Sequence, residues 1–250
     1  MMKTGFVIPV YNHGATLGTV VSQLLVYRLP VIVVDDGNDA DNHAEIAAVA
    51  AAHEEVVLVT RPKNGGKGKA VNDGVRKAAE LGLTHVFQID SDGQHDIFRV
   101  PFFLSESATH PDAVICGYPE YDESVPLSRK NGREISNRLA RICTVSREPV
   151  DVLCGFRVYP VAPYIKIIDH SLIDGRMGYD IDILVHLSWS GVHIISRSVH
   201  VTYPESGISN FRIVRDNLHI AGTFSRLCAG MIVRLPLLLV RASIWRKQRD

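Results

Sequence analysis

Excess charge of one sign, paired cysteines and long uncharged apolar runs are all missing from this chain, and each absence removes a class of function. Lys plus Arg and Asp plus Glu both number 27, so net charge gives no sign of a polyanionic partner; no nucleic-acid partner is expected. The four cysteines (116, 143, 154 and 228) form no Cys-x-x-Cys pair and no Cys/His zinc spacing. Scattered in apolar contexts, they read as reduced, partly buried thiols of a cytosolic protein. The chain opens Met-Met-Lys-Thr and enters a strand at once, without the apolar core of a signal peptide. No uncharged apolar run reaches the length of a membrane-spanning helix. Two nucleotide loops are missing as well. No Gly-x-Gly-x-x-Gly follows the first strand, which counts against NAD. The one basic glycine-rich loop lacks the Gly-Lys-Ser/Thr ending of a Walker A loop. The remainder, 46% apolar and 22% charged over 250 residues, suits one large domain with a real core, or one domain with a tail.

Strand and helix signals alternate over the first half. Thr4–Val10 is a short apolar run ending at Pro9-Val10-Tyr11-Asn12. Ala15–Tyr27 has helical spacing, and Val31–Val34 is β-branched throughout, as a strand buried on both faces requires. The pattern continues with a helix over Ala44–Ala52, a strand over Val56–Val59, a helix over Lys69–Leu81 and a strand over Val86–Ile89. This predicts an α/β domain with a mostly parallel sheet covered by helices on both sides. Ligands of such sheets sit beyond the carboxyl ends of the strands, where Asn12, Asp35, Asp36, the Arg61–Gly68 loop, Asp90 and Asp92 all fall. Further on, a helix over Phe98–Ser105, a strand over Ala113–Cys116 and a helix over Arg129–Arg147 are expected. Asp151–Arg157 reads as an apolar turn with no chemistry of its own, and Val192–Val201 as β-rich.

Each strand end has its own chemistry. Asp90 and Asp92 are two apart on an extended chain and point the same way. They repel unless a cation lies near, and hard oxygens there suit Mg²⁺ or Mn²⁺ with substrate phosphates as remaining ligands. Read alone, Asp-x-Asp is equally a polar turn; the surrounding strand ends favour a metal–diphosphate site. Asp35 and Asp36 either accept from a base or ribose, or cap the next helix. The loop from Arg61 to Lys69, Lys67 included, favours a phosphate through its lysines and backbone N–H groups. Arg129 and Arg133 lie four apart on one helical face and could reach a phosphate together. Asp180 and Asp182, at the start of an amphipathic helix, either cap it or supply a general base.

From about residue 210 the chain is helical and basic. Ile213, Ile220, Phe224, Leu227, Met231, Leu235, Leu238, Ala242 and Trp245 form one stripe beside Arg212, Arg215, Arg226, Arg234 and Arg241. Pro236 is expected to divide this tail into two segments. An apolar stripe flanked by arginines suits an anionic membrane surface, or packing on the domain, or a homodimer contact.

Six segments in order resemble family 2 glycosyltransferases of the GT-A fold, closest to the dolichyl/polyprenyl-phosphate mannose synthase branch in its bacterial stand-alone form. They are Ile8-Pro-Val-Tyr-Asn12, Val33-Val-Asp-Asp-Gly37, Asn64-Gly-Gly-Lys-Gly68, Ile89-Asp-Ser-Asp-Gly-Gln-His95, Arg133-Glu-Ile-Ser136 and Cys154-Gly-Phe-Arg157. The resemblance implies a GT-A domain over 1–208 and a tail over 209–250. It implies that Pro9, Tyr11 and Asp36, with Asp35, hold the nucleoside of a GDP- or UDP-sugar. Asp92 and Gln94 would ligate Mg²⁺ or Mn²⁺, with Asp90 near the ribose or metal. Arg133 and Arg129 would neutralise a phosphate, and Asp182 or Asp180 would be the base, with Asp182 preferred. Cys154 departs from the usual Ser, and no Gln-x-x-Arg-Trp of processive synthases occurs. The implied reaction is inverting sugar transfer to a lipid-linked or lipid-like acceptor, on the inner face of the cell membrane. A nucleotidyltransferase, or a non-catalytic membrane-surface protein, is the alternative.

Overall fold

In the computed structural model, residues 2–120, 127–201 and 213–247 are described. Strand and helix alternate through β1 (Thr4–Val10), α1 (Gly14–Leu25), β2 (Val31–Asp35), α2 (Ala40–Ala51), β3 (Val56–Thr60), α3 (Lys67–Glu80) and β4 (His85–Gln88). A 3-10 turn at Ile97–Arg99 leads into α4 (Val100–Thr109), β5 (Val114–Glu120), α5 (Leu127–Thr144) and β6 (Arg157–Pro160). The chain continues through α6 (Val161–His170), α7 (Tyr179–Trp189), β7 (Ile194–His200) and α8 (Ile213–Lys247). The sheet order is β3-β2-β1-β4-β6-β5-β7, with β6 antiparallel to both neighbours. The other pairings are parallel, so six strands end on the same edge.

Period-two alternation divides the core. Phe6 and Ile8 of β1 and Val31 and Val33 of β2 pack against α1 and α4 through Leu17, Val21, Leu24 and Phe103. Val7, Ile32 and Val34 face the other way, onto Val71 and Val75 of α3 and the apolar cluster that includes α7. Each such buried aliphatic or aromatic side chain is worth about 1.5–3 kcal/mol over its exposed state. Helix α7 is corrected from amphipathic to buried on all sides, because α3, α5, α6 and α8 surround it: every residue from Tyr179 to Leu187 except His186 is buried.

Two segments differ from expectation. The Asp151–Arg157 stretch is no idle turn. Asp151 is buried and receives Nε and Nη2 of Arg133 at 2.5 and 2.9 Å and the backbone N–H groups of Leu153 and Cys154 at 2.9 and 2.7 Å. The tail is one helix with Pro236 inside it rather than two segments; the domain packs along it on both sides of the proline, through Leu227 and Leu238.

Burial alone would raise the Asp151 carboxyl, but the Arg133 guanidinium and the N–H bonds outweigh it and hold it below the usual carboxylate range. Its contribution is therefore present above the unfolded value of about 3.9 and lost as pH falls through the lower folded value. Asp151→Asn should cost on the order of 3 kcal/mol at neutral pH, as breaking one side of a buried pair does. Denaturant unfolding should show the gap between wild type and variant narrowing on acidification.

Candidate active site

Helix α3 begins where the basic loop ends. Gly66 takes φ of 94° at its N-cap, a conformation open to glycine, and this turns Lys67 inward. Its Nζ lies 2.8 Å from Asp90 Oδ1, just past β4, and 3.0 Å from Asp180 Oδ2 at the start of α7. Burial alone would lower the lysine, but the two carboxylates outweigh it and hold the ammonium charged. Asp90 is likewise held below the usual carboxylate range: burial opposes, and Lys67 prevails. Asp180 is also bound by Gln88 Nε2 at 3.3 Å, and its backbone carbonyl accepts from Arg157 Nη1 at 2.7 Å. Arg157 is fully buried. Gln88 and Arg157 face each other in the β4–β6 register, so the reversed strand supplies the second cation of the centre.

Gly155 closes one side of Asp90. A Cβ there would stand 2.3 Å from Asp90 Oδ2, so the backbone touches the carboxylate. His95 follows on the other side, its ring 5.2 Å from that of Phe156; burial lowers it against the pull of Asp90 and Asp92.

Asp92 and Gln94 lie together beyond Asp90. Asp92 Oδ1 accepts the Gln94 backbone N–H at 3.1 Å; among the described residues its second oxygen takes no hydrogen bond. With the Gln94 amide this makes a pair of oxygen donors. Among the described residues no group of three or more His, Cys, Asp or Glu is gathered for a metal. The pair fits a hard divalent cation that takes its remaining ligands from phosphates and water.

Other expected residues are placed differently. Asp182 is fully buried and away from Lys67. Its Oδ2 accepts the Asp174 N–H at 2.6 Å and Arg226 Nη2 of α8 at 2.5 Å, and its Oδ1 lies 3.1 Å from His186 Nδ1. Asp182 thus ties the tail to α7, and of the two carboxylates expected to offer a base, Asp180 is the one beside Lys67. Asp35 is held inside its own turn by Asn38 (2.7 and 3.0 Å) and His43 (2.6 Å). Asp36 binds Arg61, Asn64 Nδ2 (3.0 Å) and the Gly65 and Gly66 N–H groups (2.9 and 2.8 Å). Both are buried and committed to protein donors, and the loop N–H groups expected to cradle a phosphate are spent on Asp36. Pro9 is half-buried and Tyr11 is 39% exposed beside them. Asn12, at φ of 60°, donates its backbone N–H to Asn38 Oδ1 at 2.7 Å. Arg133 is committed to Asp151 through two bonds. The side chain of Arg129 lies outside the described residues. Sequence reading passed over Gln88, Asp151 and Arg157. The signals for the last were a charge inside an apolar run and its place in the Cys154-Gly-Phe-Arg157 segment.

A nucleotide-type α/β sheet with carboxylates and a lysine gathered at its carboxyl edge defines a GT-A-fold enzyme. Residues 6–168 match the family model for Glycosyl transferase family 2, and the chain belongs to that family. An uncharacterized protein of Methanocaldococcus jannaschii is 32% identical over 218 residues, covering 81% of this chain and 90% of its own. The UDP-N-acetylglucosamine–dolichyl-phosphate N-acetylglucosaminyltransferase of Methanococcus voltae is 26% identical, over 50% of this chain and 57% of its own. Among solved structures, the M. tuberculosis glucosyl-3-phosphoglycerate synthase in complex with Mn²⁺, UDP and glucosyl-3-phosphoglycerate has a TM-score of 0.64 at 18% identity, covering 91% of this chain and 80% of that one. The protein is a glycosyltransferase, and the nucleotidyltransferase and non-catalytic alternatives fall away.

Gly155→Ala should push Asp90 from Lys67 and lower transfer on the order of 10²-fold, as small misplacements at a reacting centre do. Gly132→Ala, where an added Cβ meets nothing within 4 Å, should leave turnover unchanged in the same nucleoside-diphosphate release assay.

Proposed function

We propose that this glycosyltransferase moves a sugar, with inversion, from a nucleoside diphosphate sugar to a lipid-linked phosphate at a membrane surface. The observation that carries the reading is the Lys67 bridge between Asp90 and Asp180, next to Asp92 and Gln94. Asp92 and Gln94 would hold Mg²⁺ or Mn²⁺, which when bound neutralises the leaving diphosphate as a Lewis acid. Lys67 adds fixed positive charge at the same place without reorganising. Pro9 and Tyr11 would line the nucleoside, with Asp36 acting indirectly by shaping the loop. A UDP-sugar is the first donor to test, since the solved relative holds UDP.

The acceptor follows from Asp180. Its Oδ2 is taken by Lys67 and its Oδ1 by Gln88, so a hydroxyl seeking a base would compete with both. A phosphate acceptor is already an anion and needs none. The dolichyl-phosphate relative uses an acceptor of this kind by its name.

Helix α8 supports the membrane placement. Its 31-residue stretch Val214–Ile244 has a mean hydropathy of 1.8 in its most apolar window, with 11% of that window buried. By length and composition it is able to cross a membrane. Yet Phe224, Leu227 and Leu238 are buried against the domain, and Arg226 and Arg241 bind α7. A helix so docked is not surrounded by lipid, so it lies along the surface. The outward residues Ile232, Val233, Leu237, Leu239, Val240 and Ile244 are each at least half exposed. A homodimer is the competing occupant of this face.

Two measurements test these readings. Mn²⁺-dependent UDP binding, read as a rise in unfolding midpoint, should be present in wild type and absent in Asp92→Ala. Wild type should glycosylate polyprenyl phosphate and leave polyprenol untouched; transfer to polyprenol alone would replace the phosphate acceptor with a hydroxyl. Separately, Val233→Glu/Leu237→Glu should lose sedimentation with anionic vesicles. A wild type that ignores vesicles and elutes as a dimer would assign the face to a second copy.

A further inference from the structure

The basic loop serves two places, and the donor site uses one of them. Lys67 and Lys69 flank Gly68 at the start of α3, roughly 200° apart at 100° per residue. Lys67 turns to Asp90 and Asp180. Lys69 instead lines a cleft of about 530 Å³ on the other side of the loop, with Arg61, Lys63, Asn64, Arg176 and His219 around it. None of Asp90, Asp92, Gln94 or Asp180 reaches this cleft.

Its electrostatics are one-sided. Asp174 is the one acidic lining residue. It is already taken by His219 at 2.6 Å, Thr223 Oγ1 at 2.7 Å and the Arg176 N–H at 2.6 Å. Arg61 is neutralised by Asp36 and Asp73. Lys63 and Lys69 make no ion pair among the described residues, and Arg176 reaches only a neutral acceptor, Asn64 Oδ1, at 3.3 Å. Three cations thus converge on one cavity without a matching anion. The wall behind them is glycine: a Cβ on Gly175 would lie 3.0 Å from Lys69 Cγ, so the lysine stem packs on bare backbone. His219 comes from α8, and on that same helix Val214 and Leu218, one turn apart, are 74% and 69% exposed.

We infer that this cleft is a second anion site, which takes a phosphate group carried by an amphiphile. Lys63, Lys69 and Arg176 would bind the phosphate oxygens with charge-assisted hydrogen bonds, and Val214 and Leu218 would border its apolar chain. The same phosphate chemistry also occurs in a free soluble anion. The site is distinct from the donor centre. Its lipid source rests on the membrane reading of α8; its affinity for phosphate does not.

The test compares wild type with Lys63→Gln/Lys69→Gln, a variant that keeps both stems. Inorganic phosphate is titrated by calorimetry. Co-sedimentation is measured with phosphatidylcholine vesicles with and without phosphatidic acid. Losing two such contacts should weaken phosphate binding at least about tenfold. For a site that takes only the lipid, the phosphatidic acid-dependent increment should vanish instead. The first result assigns a soluble phosphate source and the second a lipid headgroup, and either supports the site. Equal behaviour of the two proteins in both assays, or no phosphate and no phosphatidic acid response in wild type, overturns it. Mn²⁺–UDP binding is followed in parallel. Its retention in the variant shows an intact fold, and its absence from both proteins would strike at the donor reading alone.

Discussion

One ion-pair bridge sets the layout of the sheet's carboxyl edge: Lys67 held between Asp90 and Asp180. The three residues come from different elements, the start of α3, the end of β4 and the start of α7. Two carboxylates this close repel, and burial worsens their repulsion by lowering the local dielectric. A single ammonium between them turns that cost into a tie that positions both helices against the sheet. Removing one partner would leave a partly buried charge unpaired, which costs more than the bridge is worth as a contact. The bridge also separates the roles of the Asp-x-Asp pair. Asp90 is neutralised from within, whereas one oxygen of Asp92 takes no hydrogen bond among the described residues.

The surrounding backbone is shaped to protect this arrangement. Strand β6 runs against its neighbours, which brings Gly155 onto the carboxylate of Asp90 and Arg157 under Asp180. Asp36 performs the same service for the loop after β3. By accepting from Gly65 and Gly66 it fixes the glycine turn that aims Lys67. Asp36, at the end of β2, thus shapes the loop, while Asp35 beside it holds its own turn through Asn38 and His43. This is a second level of organisation, in which charged groups hold the chain that holds the charged groups.

Much of this was legible in the chain. The run Thr4–Val10 is a strand with the bounds its apolar pattern implies, and β2, β3 and α3 differ from their sequence signals by one or two residues. Carboxyl-edge clustering placed Lys67 and Asp90 near one another before any coordinates. What was not legible depends on pairing across long separations. Arg157 lies in a four-residue strand, too short to show a period, and its charge is tolerated only because Tyr159 and the Asp180 carbonyl meet it. Asp182 and Asp180 sit two apart on a helix, about 200° around its axis, so one meets the lysine and the other meets the tail. Composition does not tell which; the position of Arg226, 44 residues on, does.

The tail reverses the usual arrangement of an amphipathic helix. Three of its arginines turn toward the domain: Arg226 to Asp182, Arg234 over the Trp189 ring at 4.6 Å, and Arg241 to the Ser188 and Trp189 carbonyls at 2.9 and 2.8 Å. The last contacts reach carbonyls at the end of α7, that of Ser188 also accepting the Gly191 N–H at 3.0 Å, where positive charge is favoured by the helix dipole. The stripe of Phe224, Leu227 and Leu238 packs inward beside them, so a second, outer apolar face remains. Apart from Arg234, turned onto Trp189, the stretch from Ile232 to Val240 presents only apolar side chains outward. Because Arg226 binds Asp182, two residues from Asp180, the tail is tied to the same helix that carries the Lys67 bridge.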